Sequence, residues 1–307
     1  MLTIKKLAAI DIGSNAIRLM IADVIEQHDK SPIFRKSSLV RVPIRLGADV
    51  FSMGEISPQN RVRMQDTMLA FKLLMRAHGI DQYKACATSA MREAENGSAV
   101  VENIKNRSGV EIDIIDGEEE ATIIAATDIS KYIDTDKTYL YVDVGGGSTE
   151  FTIIHHGDKK RSQSFKIGTV RLLKDLVTID VWDKAQKWIR KYTKDYERIA
   201  VIGSGGNINK IFKISGKPLG EPLTYFYLTS FYEKLRRYSY EERIVDLELK
   251  QDRADVIEHA TRIYLSAMKW SGAEHIYVPK IGLSDGIIKS LYYGFIEGRS
   301  IAELHQP

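Results

Sequence analysis

One cysteine, Cys86, is all the thiol chemistry that 307 residues offer. An intrachain disulfide and a cysteine-ligated metal cluster are both excluded, and a reducing compartment is the expected setting. Long apolar runs are missing as well: no stretch approaches the roughly 18 residues that cross a bilayer. The apolar segment after Lys5 and Lys6 breaks at Asp11, too early for a secretory signal. Neither charge dominates, since 44 Lys plus Arg against 41 Asp plus Glu leave +3, and that balance demands no nucleic-acid partner. No low-complexity tract, H-E-x-x-H motif or Cys/His spacing suited to zinc occurs. A dinucleotide fingerprint fails because Gly203-Ser204-Gly205-Gly206 is followed by Ile208 where glycine is needed, and a Walker A loop fails where Gly216-Lys217 meets Pro218. These absences leave a cytoplasmic chain with no membrane and no DNA or RNA partner.

What is present is an ordinary globular composition, 44% hydrophobic and 28% charged. The length suits two domains. Strands are expected at Leu7 to Ile12, Ile17 to Ile25, Tyr83 to Thr88, Ile112 to Ile115, Tyr139 to Asp143, Phe151 to His155, Ile199 to Ile202 and Ile276 to Val278. Ser57-Pro58 starts a helix running to about His78, and a short helical stretch near Met91 to Glu95 stops at Asn96-Gly97. Asp116-Gly117 opens a helix continuing to about Tyr132; further helices are expected at Asp180 to Tyr192, Thr229 to Tyr238 and Asp252 to Trp270. Strands mixed with helices in this way make an α/β fold. The polar segment 134–137 suits a junction, which divides the chain into 1–130 and 131–307, with the last helix allowed to pack back on the first domain.

Asp11 and Asp143 sit in matching surroundings. Each ends an apolar run, has a glycine two places on (Gly13, Gly145) and leads through a small polar turn into a second strand. The turns are Ser14-Asn15 and Gly146-Gly147-Ser148, and seven residues after each aspartate stands a charge, Arg18 or Glu150. A strand-turn-strand unit carried twice implies two related domains facing each other across a cleft. The chemistry suits phosphate: turns of Gly and Ser expose backbone N–H groups with little bulk in the way. An aspartate at a strand end suits hydrated Mg²⁺. A single Asp-x-Gly hairpin is more often structural, and it is the duplication that points to function.

Other positions carry a plain reading and a sharper one. Glu118, Glu119 and Glu120 complement the positive end of a helix, at about 0.3–1 kcal/mol each; a carboxylate there also suits accepting a proton from water. Thr88 and Ser89 read as a helix N-cap or as phosphate contacts, with Arg92 a weaker candidate. Arg18 reads as a surface ion pair or as a stabiliser of phosphoryl charge. Tyr225-Phe226-Tyr227 and Tyr292-Tyr293 read as core or interface packing, and Lys159-Lys160-Arg161 and Arg236-Arg237 as solvated faces.

The segments Asp11 to Leu19 and Asp143 to Glu150 resemble the two phosphate motifs of the exopolyphosphatase/guanosine pentaphosphate phosphohydrolase (Ppx/GppA) family. The resemblance continues through Arg45-Leu46-Gly47, Ala87 to Gly97, Gly117 to Ala121, Gly203 to Gly206 and Gly282-Leu283-Ser284-Asp285-Gly286. It implies two ribonuclease-H-like domains, of the actin/Hsp70/sugar-kinase type, flanking an inter-domain cleft. It implies a short, two-domain member without the C-terminal helical domain of long relatives. It also implies Mg²⁺-dependent (or Mn²⁺-dependent) release of terminal phosphate from polyphosphate or from the 5′-γ position of guanosine pentaphosphate, in a homodimer. On that reading Glu120 matches the catalytic glutamate and Arg18 faces the reacting phosphoryl group. Gly13, Ser14, Asn15, Thr88, Ser89, Gly145, Gly146, Gly147 and Ser148 bind phosphate, and Asp11, Asp143 and Glu150 hold the metal. Gly203, Gly205 and Gly206 fall on the nucleotide side of the superfamily's cleft. The chain departs from the family pattern at Ala16, Thr122 and Asn207. Two rival readings are a phosphotransferase of the same superfamily and a non-catalytic sensor of polyphosphate or guanosine pentaphosphate.

Overall fold

In the computed structural model, which describes residues 2–127, 134 and 136–300, the chain divides into two units. One holds the residues up to Thr127 together with those from Leu283 onward, and the other holds Asp128–Gly282. The expected boundary between 130 and 131 lies outside the described residues, whereas the acidic helix, expected to run to about Tyr132, ends at Ala125 with Ala126 as its C-cap.

The first unit opens with β1 (Leu2–Ile12), β2 (Ile17–Gln27), β3 (Ile33–Val42), α1 (Leu46–Met53) and α2 (Pro58–Ala77). It continues through β4 (Gln82–Ala87), α3 (Ser89–Glu93), α4 (Gly97–Ser108), β5 (Asp113–Ile114) and α5 (Gly117–Ala125). The second unit contains β6 (Thr138–Val144), β7 (Thr149–His155), β8 (Asp158–Phe165), α6 (Thr169–Leu173), α7 (Ile179–Thr193) and β9 (Ile199–Ser204). Then come α8 (Gly206–Ser215), β10 (Leu223–Thr224), α9 (Tyr225–Arg237), α10 (Tyr240–Val245), α11 (Gln251–Ala254), α12 (Ile257–Ser271) and β11 (His275–Tyr277). The last two elements, α13 (Leu283–Tyr292) and β12 (Arg299–Ser300), belong to the first unit.

The first sheet runs β12-β4-β1-β2-β3, with β5 also on β4, and the second runs β10-β11-β9-β6-β7-β8. Leaving aside β5 and β12 in the first sheet and β10 and β11 in the second, one pattern remains in both. Three successive antiparallel strands lie side by side, and a fourth lies parallel to the first of them. Central strands carry the core because both faces are covered. Ile10, Ile12, Ile17 and Leu19 pack with Met64, Met68 and Phe71 of α2. Leu140, Val142, Phe151 and Ile153 pack with Ile208 and Phe212 of α8 and Ile263 of α12. Each such side chain contributes about 1.5–3 kcal/mol by leaving water.

Helix α2 starts as its sequence predicts, with Pro58 at the first position and Ser57 Oγ accepting from the Asn60 N–H at 3.3 Å. Several expectations need correction. The first strand begins at Leu2, five residues earlier, because its exposed half pairs along the end of β2. Strands β3 and β8 go unnoticed in the sequence because they are charged edge strands with little alternation. The helix expected to stop at Asn96-Gly97 already ends at Glu93, where Ala94 turns extended (φ −72°, ψ 124°), and Asn96-Gly97 instead starts α4. The Asn96 side chain is committed to the Ile56 N–H and carbonyl, each at 3.0 Å. Phe226 is exposed on α9 and so lies outside the core of its unit. No helix among the described residues is long and apolar enough to cross a membrane.

Candidate phosphate sites

Each repeat ends in a hairpin bend closed the same way. Gly13 N–H bonds to the Ala16 carbonyl at 3.2 Å, and Gly145 N–H bonds to the Ser148 carbonyl at 2.9 Å. A Cβ on Gly13 or Gly145 would crowd those closing carbonyls at 3.3 and 3.1 Å. Ala16 closes its bend through the backbone alone, so the departure there leaves the turn intact.

Where the carbonyls of these bends go decides which way their amides face. In the second unit Thr169 N–H bonds to the Gly145 carbonyl at 3.0 Å and Val170 N–H to the Gly146 carbonyl at 2.9 Å. Arg171 Nε–H bonds to the Gly147 carbonyl at 2.8 Å. Among the described residues no peptide bond is cis, and a trans peptide points its C=O and N–H in opposite directions. The N–H groups of Gly146, Gly147 and Ser148 therefore point away from α6 as a set of three. The first unit repeats the device: Gly47 N–H bonds to the Ser14 carbonyl at 2.8 Å and Arg45 N–H to the Asn15 carbonyl at 3.1 Å. The N–H groups of Asn15 and Ala16 point away from α1. Arg45 takes the left-handed conformation (φ 62°, ψ 43°) at the start of α1, which costs a non-glycine residue about 1–2 kcal/mol.

In the first unit Asp11 lies directly opposite Arg18 across β1 and β2. Arg18 donates from Nη1 to Asp11 Oδ2 at 2.6 Å, and its other neighbour in register is Arg41 of β3. Both readings of Arg18 are compatible with this geometry: the ion pair is real, and 30% of its side chain stays exposed. Ser14 and Ser89, distant in sequence, come together with hydroxyls 3.4 Å apart. Thr88 occupies the N-cap position of α3 without a side-chain cap bond, while its N–H bonds to the Ile12 carbonyl at 3.1 Å. Arg92 donates to the Ile115 carbonyl at 2.5 Å, just ahead of α5. Cys86, beside Asp11 on β4, is buried, and burial pushes its thiol up to about 12. It is no nucleophile at neutral pH.

Helix α5 is capped by Asp116, whose Oδ1 accepts from the Glu118 and Glu119 N–H groups at 2.9 and 2.8 Å. Glu118 and Glu119 are exposed, whereas Glu120 is half-buried. Thr122 bonds back to the Glu118 carbonyl at 2.8 Å. Helix α13 packs against α5 at Gly286, where any Cβ would run into the Ile123 carbonyl. We expect Asp116→Ala to lose about 1 kcal/mol of stability, read by denaturant unfolding, because two N–H groups lose their acceptor.

In the second unit the residue opposite Asp143 is Glu150. Glu150 Oε1 accepts from Ser148 Oγ and Ser164 Oγ, each at 2.7 Å. Two carboxylates thus face one another across a strand pair and could hold a cation between them. Such all-oxygen donors suit Mg²⁺ or Mn²⁺, which keep waters and complete their shell with phosphate. Among the described residues no group of three His, Cys, Asp or Glu is clustered for a metal. The third glycine-rich turn adjoins the carboxylate pair: Gly205 (φ 112°) is the N-cap of α8, and a Cβ there would lie 3.5 Å from Asp143 Oδ1 and 2.9 Å from the Val144 carbonyl. Gly206 is the first residue of α8, and Gly203 is buried against Ile208 and Ile276. Tyr264 of α12 donates to the Ser204 carbonyl. Burial, then the Asp143 carboxylate, raises its phenol well above the usual value, so it stays neutral.

Sequence reasoning missed Gly168, Arg171, Arg41 and Tyr264. Nothing local marks them, because each acts on a bend or strand distant in the chain.

A profile of the Ppx/GppA phosphatase family matches residues 20–293. The chain belongs to that family. It is 26% identical over 297 residues to the guanosine-5′-triphosphate,3′-diphosphate pyrophosphatase of Photobacterium profundum, an alignment covering 92% of this chain and 58% of that protein. It is 30% identical over 179 residues to exopolyphosphatase 2 of Mycobacterium tuberculosis, covering 56% of this chain and 54% of that protein. The chain thus spans about half the length of these curated relatives. Among solved structures, an exopolyphosphatase from Cytophaga hutchinsonii superposes with a TM-score of 0.80 at 22% identity, covering 94% of this chain and 98% of that one. The Aquifex aeolicus family member gives 0.74 at 23% identity, covering 96% and 100%. The shared fold is the actin-like, ribonuclease-H-like α/β architecture expected from the motifs.

Proposed function

We propose that this family member is a Mg²⁺-dependent phosphohydrolase that releases terminal phosphate from inorganic polyphosphate or the 5′-γ-phosphate of guanosine pentaphosphate. The observation that carries the reading is the pair of bends whose carbonyls are tied back, leaving sets of N–H groups aimed outward. Such preformed donors favour the charge that grows on phosphoryl oxygens during transfer. The names of the two curated relatives support the same substrates.

In this mechanism water attacks the terminal phosphorus in line with the departing chain; a new P–O bond forms as the anhydride P–O bond breaks. Glu120 orients the water and takes its proton. Asp11 holds the Arg18 guanidinium in place through their 2.6 Å bond, and Arg18 stabilises charge on the transferred group. The N–H groups of Asn15, Gly146, Gly147 and Ser148 bind phosphoryl oxygens. Asp143 and Glu150 would hold Mg²⁺, which when bound supplies positive charge to the phosphates and fixes their orientation.

The test is phosphate release measured side by side on long-chain polyphosphate, tripolyphosphate, guanosine pentaphosphate and ATP, with Mg²⁺ and no acceptor. Release from polyphosphate or guanosine pentaphosphate that stops on chelation is the expected result. Release that appears only with ATP and an acceptor would establish a kinase instead. Tight binding without turnover would establish a sensor.

A further inference from the structure

Arg171 stands out because it is a charged side chain only 8% exposed. Long charged side chains are seldom buried without a specific partner. Here one partner is main chain: Arg171 Nε–H bonds to the Gly147 carbonyl at 2.8 Å. Its own N–H lies 3.4 Å from the Gly146 carbonyl, which the Val170 N–H already holds at 2.9 Å. The residue thus grips two successive peptide units of the second bend, one through its backbone and one through its guanidinium.

We infer that Arg171 is a positioning residue for phosphate binding. It acts through the Gly147–Ser148 peptide: a charge-assisted bond on the carbonyl side fixes the plane so that the Ser148 N–H points outward. It also polarises that peptide, which strengthens the N–H as a donor. A permanent positive charge beneath the bend adds to the field that an approaching polyanion meets. The first unit supports the assignment by contrast. At the equivalent carbonyl, Asn15, the grip comes from a backbone N–H, that of Arg45. A side chain has taken over this duty in the second unit alone, which makes it open to substitution without altering the backbone.

The inference rests on the phosphohydrolase reading, and its test keeps the two apart. Arg171→Gln and Arg171→Lys are compared with the wild type in phosphate release from tripolyphosphate and in calorimetric binding of tripolyphosphate. Melting temperature is followed throughout. For Arg171→Gln a 10- to 100-fold fall in kcat/KM and at least fivefold weaker binding are expected. Arg171→Lys keeps the charge but has no Nε fork, and should recover affinity more than kcat. Arg171→Ala supplies the decisive readout: millimolar guanidinium ion should restore turnover several-fold, and ammonium at equal ionic strength should not. Wild-type binding and turnover in Arg171→Gln would overturn the inference. So would losses that follow the melting temperature alone with no guanidinium rescue. A wild type that binds tripolyphosphate without releasing phosphate would overturn the hydrolase reading instead, and the binding comparison would then decide Arg171.

Discussion

Replacing Glu120 with glutamine is expected to slow phosphate release by about 10²–10⁴-fold, the usual contribution of a positioned general base. Tripolyphosphate affinity should stay within about threefold of the wild type, because glutamine keeps the size and hydrogen-bonding reach of the side chain and removes only its basicity. The structure makes the substitution clean. Glu120 is half-buried one turn into a helix whose start is held by Asp116 and whose flank is fixed by Gly286 against Ile123. Glu118→Gln and Glu119→Gln, at exposed neighbours, serve as controls that should leave turnover within about twofold. Single-turnover release with polyphosphate separates chemistry from product departure. Unchanged turnover in Glu120→Gln would remove the residue from the mechanism.

The second large effect is expected from Gly168→Ala. Gly168 has ordinary extended backbone angles (φ −122°, ψ 157°), so conformation does not require glycine there. Space does: a Cβ would overlap the Gly146 carbonyl and the Gly147 carbonyl carbon. These are backbone atoms of the bend itself and cannot swing aside as a flexible side chain would. The methyl group must push α6 from the bend, weakening the bonds from Thr169 and Val170 that hold its carbonyls. Overpacking of this kind costs about 1–3 kcal/mol of stability. A shift of the donors by as little as about 1 Å costs on the order of 100-fold in rate. Gly216→Ala makes the opposite case. Nothing lies within 4 Å of its added Cβ, but its φ of 69° disfavours alanine. It should lose about 1–2 kcal/mol and keep its turnover. Loss of turnover in Gly168→Ala at temperatures where it remains folded is the outcome that counts, read by activity beside circular dichroism.

Both bends were legible in the sequence because their requirements are local. A glycine two places after a strand-ending aspartate, small residues in the turn and a second apolar strand leave a pattern within ten residues, and the structure returns it twice with matching closure. The start of α5 was legible for the same reason, since Asp116 and the three glutamates act within one turn. What escaped depends on partners far along the chain. Strands β3 and β8 are recognised as strands only once β2 and β7 lie beside them, because their own residues are charged and exposed on at least one face. Arg45-Leu46-Gly47 was noticed as part of a motif, but its task, holding the Ser14 and Asn15 carbonyls, appears only when α1 meets the first bend. Thr169, Val170 and Arg171 do the same for the second bend from more than twenty residues away, and Gly168 leaves the room for it. Asn96-Gly97 reads as a stop because both residues favour helix ends. In the structure they start α4 instead, with Ile56 occupying the Asn96 amide.

The solitary sulfur of Cys86 has a practical consequence. Sealed in the core and protonated across the physiological range, it will ignore maleimides in the folded protein. Cysteines introduced at Arg76 on α2 and Lys187 on α7, both exposed, would therefore accept a donor and an acceptor fluorophore without any prior mutation of the native thiol. Energy transfer between the dyes would then report, molecule by molecule, whether the separation of the two helices changes when tripolyphosphate is added.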